Sequence, residues 1–443
     1  MCRYLWLFLL VWGASTMTVN SWNARSFGLQ NATVAGLVQH RTFALRDQVF
    51  PGFNLVEGDE TLRHGSLVYP IKQPGQTIVG ALVYAPLYAL HITFANHYDY
   101  VSNVITAATS GVFIACVSVL LAMLAESVWA GLLFFFATIV WPYAGVSHHD
   151  IYALLPLTLG IYAFSRERYA RAGLFFGLMW FFSMLPLTLP IVAGLVILRI
   201  HRTSAVQYGI GFLVGLVPTI LYNWILFGNP LLFPNLAGGV IDTIPKFSLA
   251  NLLSHLYYYV AAPATSLIFF SPVLVFGFLG LFYLPKRLRT LSLAVIIFHI
   301  LHISSQWTYG GYEYGPRYFL PLIPFFALGI GTWMKLRHRT VSTILFVVAA
   351  IYSSYVAMVG ALTTVMYPLP YAPVDGPATY APFVAWGEIV SRNLPTFRLW
   401  PVGVILVVAG LAVRYLRIRP SSLVPEPRNH GAYHPVASRN RRS

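Results

Sequence analysis

Two ionisable residues four positions apart, Glu313 and Arg317, lie in Trp307-Thr-Tyr-Gly-Gly-Tyr-Glu-Tyr-Gly-Pro-Arg-Tyr-Phe-Leu-Pro-Leu-Ile-Pro324, a polar turn between two long apolar runs. A guanidinium at the edge of an apolar phase is costly unless an anion faces it. Its planar fork grips phosphate or carboxylate through paired hydrogen bonds, which an ammonium does not. A second group, Asp47, Glu57, Asp59, Glu60, His64 and Lys72, falls in a stretch punctuated by Pro and Gly. Such turns expose side chains. A carboxylate there can take a proton from a hydroxyl nucleophile, and Lys72 can meet an anionic headgroup as a point charge. The third group closes Trp141-Pro-Tyr-Ala-Gly-Val-Ser-His-His-Asp150. Adjacent histidines and a carboxylate are metal-ligand types, but consecutive residues at a helix start point in different directions. Asp150 also suits the cap of the helix that follows. We assign no metal ligands; a divalent cation is compatible with this turn but not required.

The elements that position these groups are membrane helices. The chain has 443 residues, 57% hydrophobic and only 9% charged, with mean hydropathy +0.68. A soluble domain of this size is far more charged. Apolar runs of about 18 residues or more recur throughout. We read twelve spans, at 4–19, 99–123, 127–142, 150–164, 171–184, 185–199, 206–226, 266–284, 289–306, 317–334, 340–366 and 399–415; the fifth and sixth could equally be one helix broken near Pro186 and Pro190. The fold class expected is an all-α polytopic membrane protein with a long first extracytoplasmic loop. Cys2 and Cys116 cannot build a disulfide framework.

Charge sets the orientation. With both termini in the cytoplasm, 19 of 28 Lys and Arg fall inside, while 10 of 13 Asp and Glu fall outside. This is the positive-inside pattern, so the net charge of +15 orients the chain and implies no nucleic-acid partner. Residues 76–95 are apolar, but a span there would invert every later loop; they read as a helix at the outer surface. Residues 4–19 read as an uncleaved anchor. An amphipathic helix is expected near 24–39. The membrane domain covers 1–419, with 20–98 as its first outer loop, and 420–443 is a basic, disordered cytoplasmic tail. All three chemical groups fall on the outer side.

Four segments carry a resemblance. Gly65-Ser-Leu-Val-Tyr-Pro-Ile-Lys-Gln-Pro-Gly75, Trp141-Pro-Tyr-Ala-Gly-Val-Ser-His-His149, Tyr222-Asn-Trp-Ile-Leu-Phe-Gly-Asn-Pro230 and Gly310 through Pro324 resemble, in this order, blocks of the GT-C superfamily of integral-membrane glycosyltransferases. The likeness is to bacterial and archaeal relatives of protein O-mannosyltransferases and aminoarabinose transferases, over about residues 20–335.

That resemblance implies an inverting sugar transfer from a polyprenyl-phosphate donor to a lipid, glycan or protein acceptor at the outer face of the cell membrane. Arg317 and Lys72 would hold the phosphate; Glu313, His64, His149 and Tyr69 would join them around phosphate or sugar. Family members carry an acid just after the first span, where this chain has Asn23-Ala-Arg25. The base therefore falls to Asp59, then Asp47, with Asp150 third. Two alternatives remain: a non-catalytic protein that binds a lipid-linked sugar, and a transporter or flippase. The latter usually shows repeated halves and ionisable groups deep within spans, and no repeat is visible here.

Overall fold

The computed structural model describes residues 4–45, 61–232, 234, 249–262, 266–305, 313–336, 340–365 and 395–418. Asp47, Glu57, Asp59 and Glu60, and the predicted tail, lie outside the described residues.

In chain order the helices are α1 (Leu5–Thr18), α2 (Ser21–Ser26), α3 (Gly28–His40), α4 (Pro74–Ala89), α5 (Phe94–Leu124), α6 (Val128–Phe136), α7 (Val140–Ala144), α8 (His149–Ser165), α9 (Tyr169–Met179), α10 (Thr188–Ile200), α11 (Arg202–Phe227), α12 (Leu249–Val260), α13 (Leu267–Phe270), α14 (Val273–Leu281), α15 (Lys286–Ser304), α16 (Ile323–Trp333), α17 (Thr340–Leu362) and α18 (Trp400–Ile418). A two-turn 3-10 segment, Arg317–Leu322, leads into α16. The fold is that of a helical membrane protein. α5, α11, α15 and α17 are each long and apolar enough to cross a membrane, and α1, α10 and the first part of α18 are shorter apolar helices. Several expected spans are divided: 127–142 into α6 and α7, 266–284 into α13 and α14, and 317–334 into the 3-10 segment and α16. α9 and α10 are separate helices, parted by the turn around Pro186.

Local chemistry explains the boundaries near the three groups. Asn20 caps α2 by accepting from the backbone N–H of Trp22 and Asn23 at 3.1 and 3.0 Å, the usual N-cap role of Asn. Arg25 then forks onto Asp99 through two hydrogen bonds, 3.2 and 3.1 Å, which ties α2 to α5. Pro74 opens α4, where a missing N–H costs nothing. α3 differs from expectation. It buries nearly all of its first nine residues, Gln30, Asn31 and Thr33 included, so it is an interior helix and not an amphipathic surface one. Asn31 donates to Tyr98 and Ser102 at 2.9 and 3.1 Å, which is how its polar side chain is accommodated. The long first loop also contains a β-hairpin, β1 (Thr61–His64) antiparallel to β2 (Leu67–Pro70), where only a loop was anticipated.

Helix contacts rest on small residues. In lipid there is no hydrophobic drive between helices, so close van der Waals approach does the holding. α9 offers Gly173 and Gly177, and α11 offers Gly211 and Gly215. A Cβ on any of these four would overlap backbone of the facing helix. α14 and α16 repeat the pattern with Gly277, Gly280 and Gly329, and α1 meets α18 at Gly13 and Gly403. Ion pairs join Glu126 to Lys335, at 3.2 Å, and Glu167 to Arg287, so the basic loops gather the acids nearest to them.

Gly211→Val should lower the thermal midpoint in detergent, at the upper end of about 1–3 kcal/mol for overpacking. Gly209→Val is the control, because a Cβ there meets nothing within 4 Å. Equal midpoints for the two variants would show that α9 and α11 do not touch as described.

Candidate functional site

Arg317 is set by the turn before it. Gly315 has φ +71°, a left-handed conformation that suits glycine, and a Cβ there would press on Ile139 and Phe270 at 2.9 and 3.0 Å. Tyr314, 1% exposed, donates its hydroxyl to the Val356 carbonyl at 2.6 Å, and its backbone N–H to the Val365 carbonyl at 2.7 Å. The Arg317 N–H closes onto the Gly315 carbonyl at 2.9 Å. With the backbone pinned on both sides, Glu313 and Arg317 can only face inward, and they pair with each other.

The other wall is the start of α8. His148 is its N-cap, with extended backbone at φ −97° and ψ 132°. It lies outside the helix, so its ring is free to meet those of the next two residues. The metal-capable atoms of His148, His149 and Asp150 lie within 4.8 Å of one another, closer than the helix-start argument allowed. Asp150 is 2% exposed. Its Oδ1 accepts from the Ser183 hydroxyl at 2.5 Å and lies 3.4 Å from His149 Nε2. Its Oδ2 lies 3.6 Å from His148 Nδ1 and 3.9 Å from Arg317 Nε.

His148 joins the two walls. Arg317 Nη1 stands 2.9 Å from its Nε2. A guanidinium only donates, so in this pairing Nε2 holds the lone pair and Nδ1 the proton, which forgoes the Asp150 backbone N–H that stands 3.3 Å from Nδ1 as a donor. Burial, then the charges of His149, Arg317 and Lys72, push the His148 imidazole well below its ordinary value and keep it neutral. His148, His149 and Asp150 have the donor types and spacing to hold a cation; one bound through His148 Nε2 would displace Arg317.

Tyr143, on the short helix α7, donates to Glu313 Oε2 at 2.9 Å. Burial raises the Glu313 carboxyl above the usual carboxylate value, against the opposing pull of Arg317 and Tyr143. Lys72 is near enough for its charge to act on both His148 and Glu313. The start of α4 is locked beside them. Gln76 donates to Ser147, to the carbonyl and, at 3.1 Å, to the hydroxyl. The Gly75 N–H bonds the Phe181 carbonyl at 2.9 Å, and a Cβ at Gly75 would collide with Phe181 and Phe182.

Of the residues expected from sequence, Arg317, Glu313, Asp150 and His149 come together, with Lys72 close by. His64 and Tyr69 are held elsewhere: both rings pack edge-on against Phe227, at 5.5 and 5.3 Å, with Tyr222 beside them. Their described contacts are with the end of α11, not with Arg317. Asp59 and Asp47 lie outside the described residues. The sequence reading missed Tyr143, His148 as the central contact, Gln76 and Ser183. Ser183 sits in an apolar run, Phe181-Phe182-Ser183-Met184, where nothing marks it as more than a span residue.

No protein-family model matches the chain, and no curated protein matches it. Among solved structures, the chain is similar to ArnT from Cupriavidus metallidurans bound to undecaprenyl phosphate. The TM-score is 0.51 at 16% identity, over 94% of this chain and 71% of that one. The likeness is one of fold: the chain has an ArnT-like fold.

Tyr143→Phe tests the Glu313 setting without an activity assay. A carboxyl whose folded value is raised costs stability as pH rises through its unfolded value, near 4.5, towards the folded one. Loss of the Tyr143 donor raises the folded value further. The deficit in thermal midpoint should therefore be larger at about pH 7 than at about pH 4.5, reaching about 1.5–3 kcal/mol for a hydrogen bond to a charged group. A deficit independent of pH would mean that Glu313 is not ionised beside Tyr143.

Proposed function

We propose that this protein is a membrane glycosyltransferase that moves a sugar from a polyprenyl-phosphate donor to a hydroxyl acceptor on the outer face of the membrane, with inversion at the sugar carbon. The observation that carries the reading is the largely buried Arg317. It is only 12% exposed at its side chain, with Lys72 close by, and it stands two residues before an apolar cavity. That cavity, of about 260 Å³, is lined by Val260, Leu274, Ile296, Phe319 and Phe326 among others, and is almost wholly apolar. A prenyl tail belongs in such a space and a phosphate belongs on such an arginine. The structural neighbour's bound undecaprenyl phosphate supports the same ligand class.

The acceptor oxygen forms a bond to the anomeric carbon as the bond from that carbon to the phosphate oxygen breaks. Polyprenyl phosphate leaves with the bonding electron pair. Arg317 and Lys72 stabilise the charge that grows on the phosphate. The acceptor's proton passes to a carboxylate of the first outer segment, Asp59 before Asp47. Asp150 has both oxygens turned to Ser183, His149, His148 and Arg317, which favours a positioning role for it. Glu313 holds Arg317 until phosphate arrives. No step here calls on a metal ion.

Arg317→Ala should cut transfer from a radiolabelled polyprenyl-phosphate sugar by about 100-fold or more per folded protein; wild-type rates would end the phosphate assignment. Asp59→Asn should lose more activity than Asp47→Asn in the same membranes, and the reverse order would move the base to Asp47.

A further inference from the structure

Nearly every buried polar side chain in a folded protein has a hydrogen-bond partner, so one without any points to something absent. Gln73 is 2% exposed, and neither its Nε2 nor its Oε1 has a partner. It precedes α4 in extended backbone, yet its side chain caps nothing. Its backbone cannot drift to relieve this, because Gly75 is fixed on Phe181 and Gln76 on Ser147. The preceding residue, Lys72, acts on His148 and Glu313. Gln73 is thus bracketed by two residues that reach the turn 147–150 or its partner Glu313.

A second amide borders the same turn. Asn23 is 2% exposed; its Oδ1 accepts the Val365 N–H at 3.3 Å, but its Nδ2 has no partner. That nitrogen lies 3.8 Å from where a Cβ on Gly145 would stand. Arg317 Nε likewise makes no hydrogen bond. The open groups are N–H donors, with the Gln73 oxygen as the acceptor among them. Meanwhile both carboxylates are committed, Asp150 to Ser183 and His149, and Glu313 to Arg317 and Tyr143.

We propose that Gln73 and Asn23 form a subsite that reads the donor's sugar through its hydroxyl oxygens, and that this sugar is a neutral hexose or pentose, not an amino sugar. The unpaired groups call for a ligand rich in acceptors, and sugar hydroxyls supply acceptors along with a donor for Gln73 Oε1. An ammonium group offers only donors, so it leaves the open N–H groups of Asn23 and Arg317 without an acceptor. The subsite rests on the glycosyl-transfer reading above.

The test uses the full chain in lipid nanodiscs and three probes of equal prenyl length: polyprenyl phosphate, the same lipid carrying a neutral hexose, and the same lipid carrying a 4-amino pentose. The wild type should bind the hexose lipid more tightly than the amino-sugar lipid. Gln73→Met, close in volume and without polar atoms, should weaken hexose-lipid binding about 10-fold, as one lost hydrogen bond implies. It should leave binding of sugar-free polyprenyl phosphate unchanged. It should also hold or raise the thermal midpoint without ligand, because it removes an unpaired buried amide; a merely structural glutamine would lower it. Asn23→Ala should show the same split between the hexose lipid and the bare lipid. Equal hexose-lipid affinity in Gln73→Met and wild type, a preference of the wild type for the amino sugar, or equal losses with the bare lipid would overturn the subsite and leave the transferase reading standing. No binding of bare polyprenyl phosphate by the wild type would overturn both.

Discussion

A buried guanidinium needs its counter-charges at hand, and the fold around Arg317 supplies them. Isolated in an apolar medium, the charge would cost many kcal/mol. Here Glu313 comes from the same turn, Asp150 from the start of α8, and His148 is kept neutral so that it can accept from the guanidinium. Every element close to this group is pinned by its own constraint. Gly315 fixes the turn, Tyr314 anchors it to α17 and Val365, and Ser183 holds Asp150. Removing one partner of such a group leaves the remaining charge uncompensated, which is why a buried pair is more sensitive to loss of a member than to replacement of the whole.

The glycine contacts serve the same end. Helices in lipid gain nothing from hiding apolar surface from each other, since the tails are equally apolar. What positions α8 is the stack beneath it: α9 against α8, where Gly160 leaves room for the Phe176 ring, and α11 against α9 through four glycines. Backbone in direct contact with backbone gives little slack. A polar cluster that depends on separations of about 3 Å needs a frame of that stiffness.

Legibility in the sequence followed this division. Arg317 and Glu313 were readable because charge inside an apolar chain is rare and therefore informative. The helical membrane character was readable from composition and run length alone. The hairpin Thr61–Pro70 was not, because four-residue strands bracketed by charged residues look like loop. The divided helices were missed because hydropathy reports burial in any apolar surrounding and says little about a break within it: between α6 and α7 the one polar residue is Thr138, whose hydroxyl accepts the Val140 N–H at 3.2 Å. The resemblance put His64 and Tyr69 around phosphate or sugar; the packing of both rings on Phe227, far along the chain, carries no sequence signal. The convergence of His148, His149 and Asp150 depends on His148 standing just outside the helix, a distinction of one residue that sequence patterns do not fix.

The charge balance of the site has a consequence for the order of events. On the proposed reading, a lipid phosphate would compete with Glu313 for the Arg317 guanidinium, and Glu313 would keep the Tyr143 donor and the charge of Lys72. Burial already raises its proton affinity, and losing Arg317 raises it further. On the same reading, Glu313 would become a stronger proton acceptor as a donor phosphate replaced it on the arginine. His148 changes in the same step. Released from Arg317, its Nε2 no longer has to hold a lone pair, and the Asp150 backbone N–H at 3.3 Å can take Nδ1 instead. A tautomer change would turn the ring's N–H towards Glu313, 4.0 Å away.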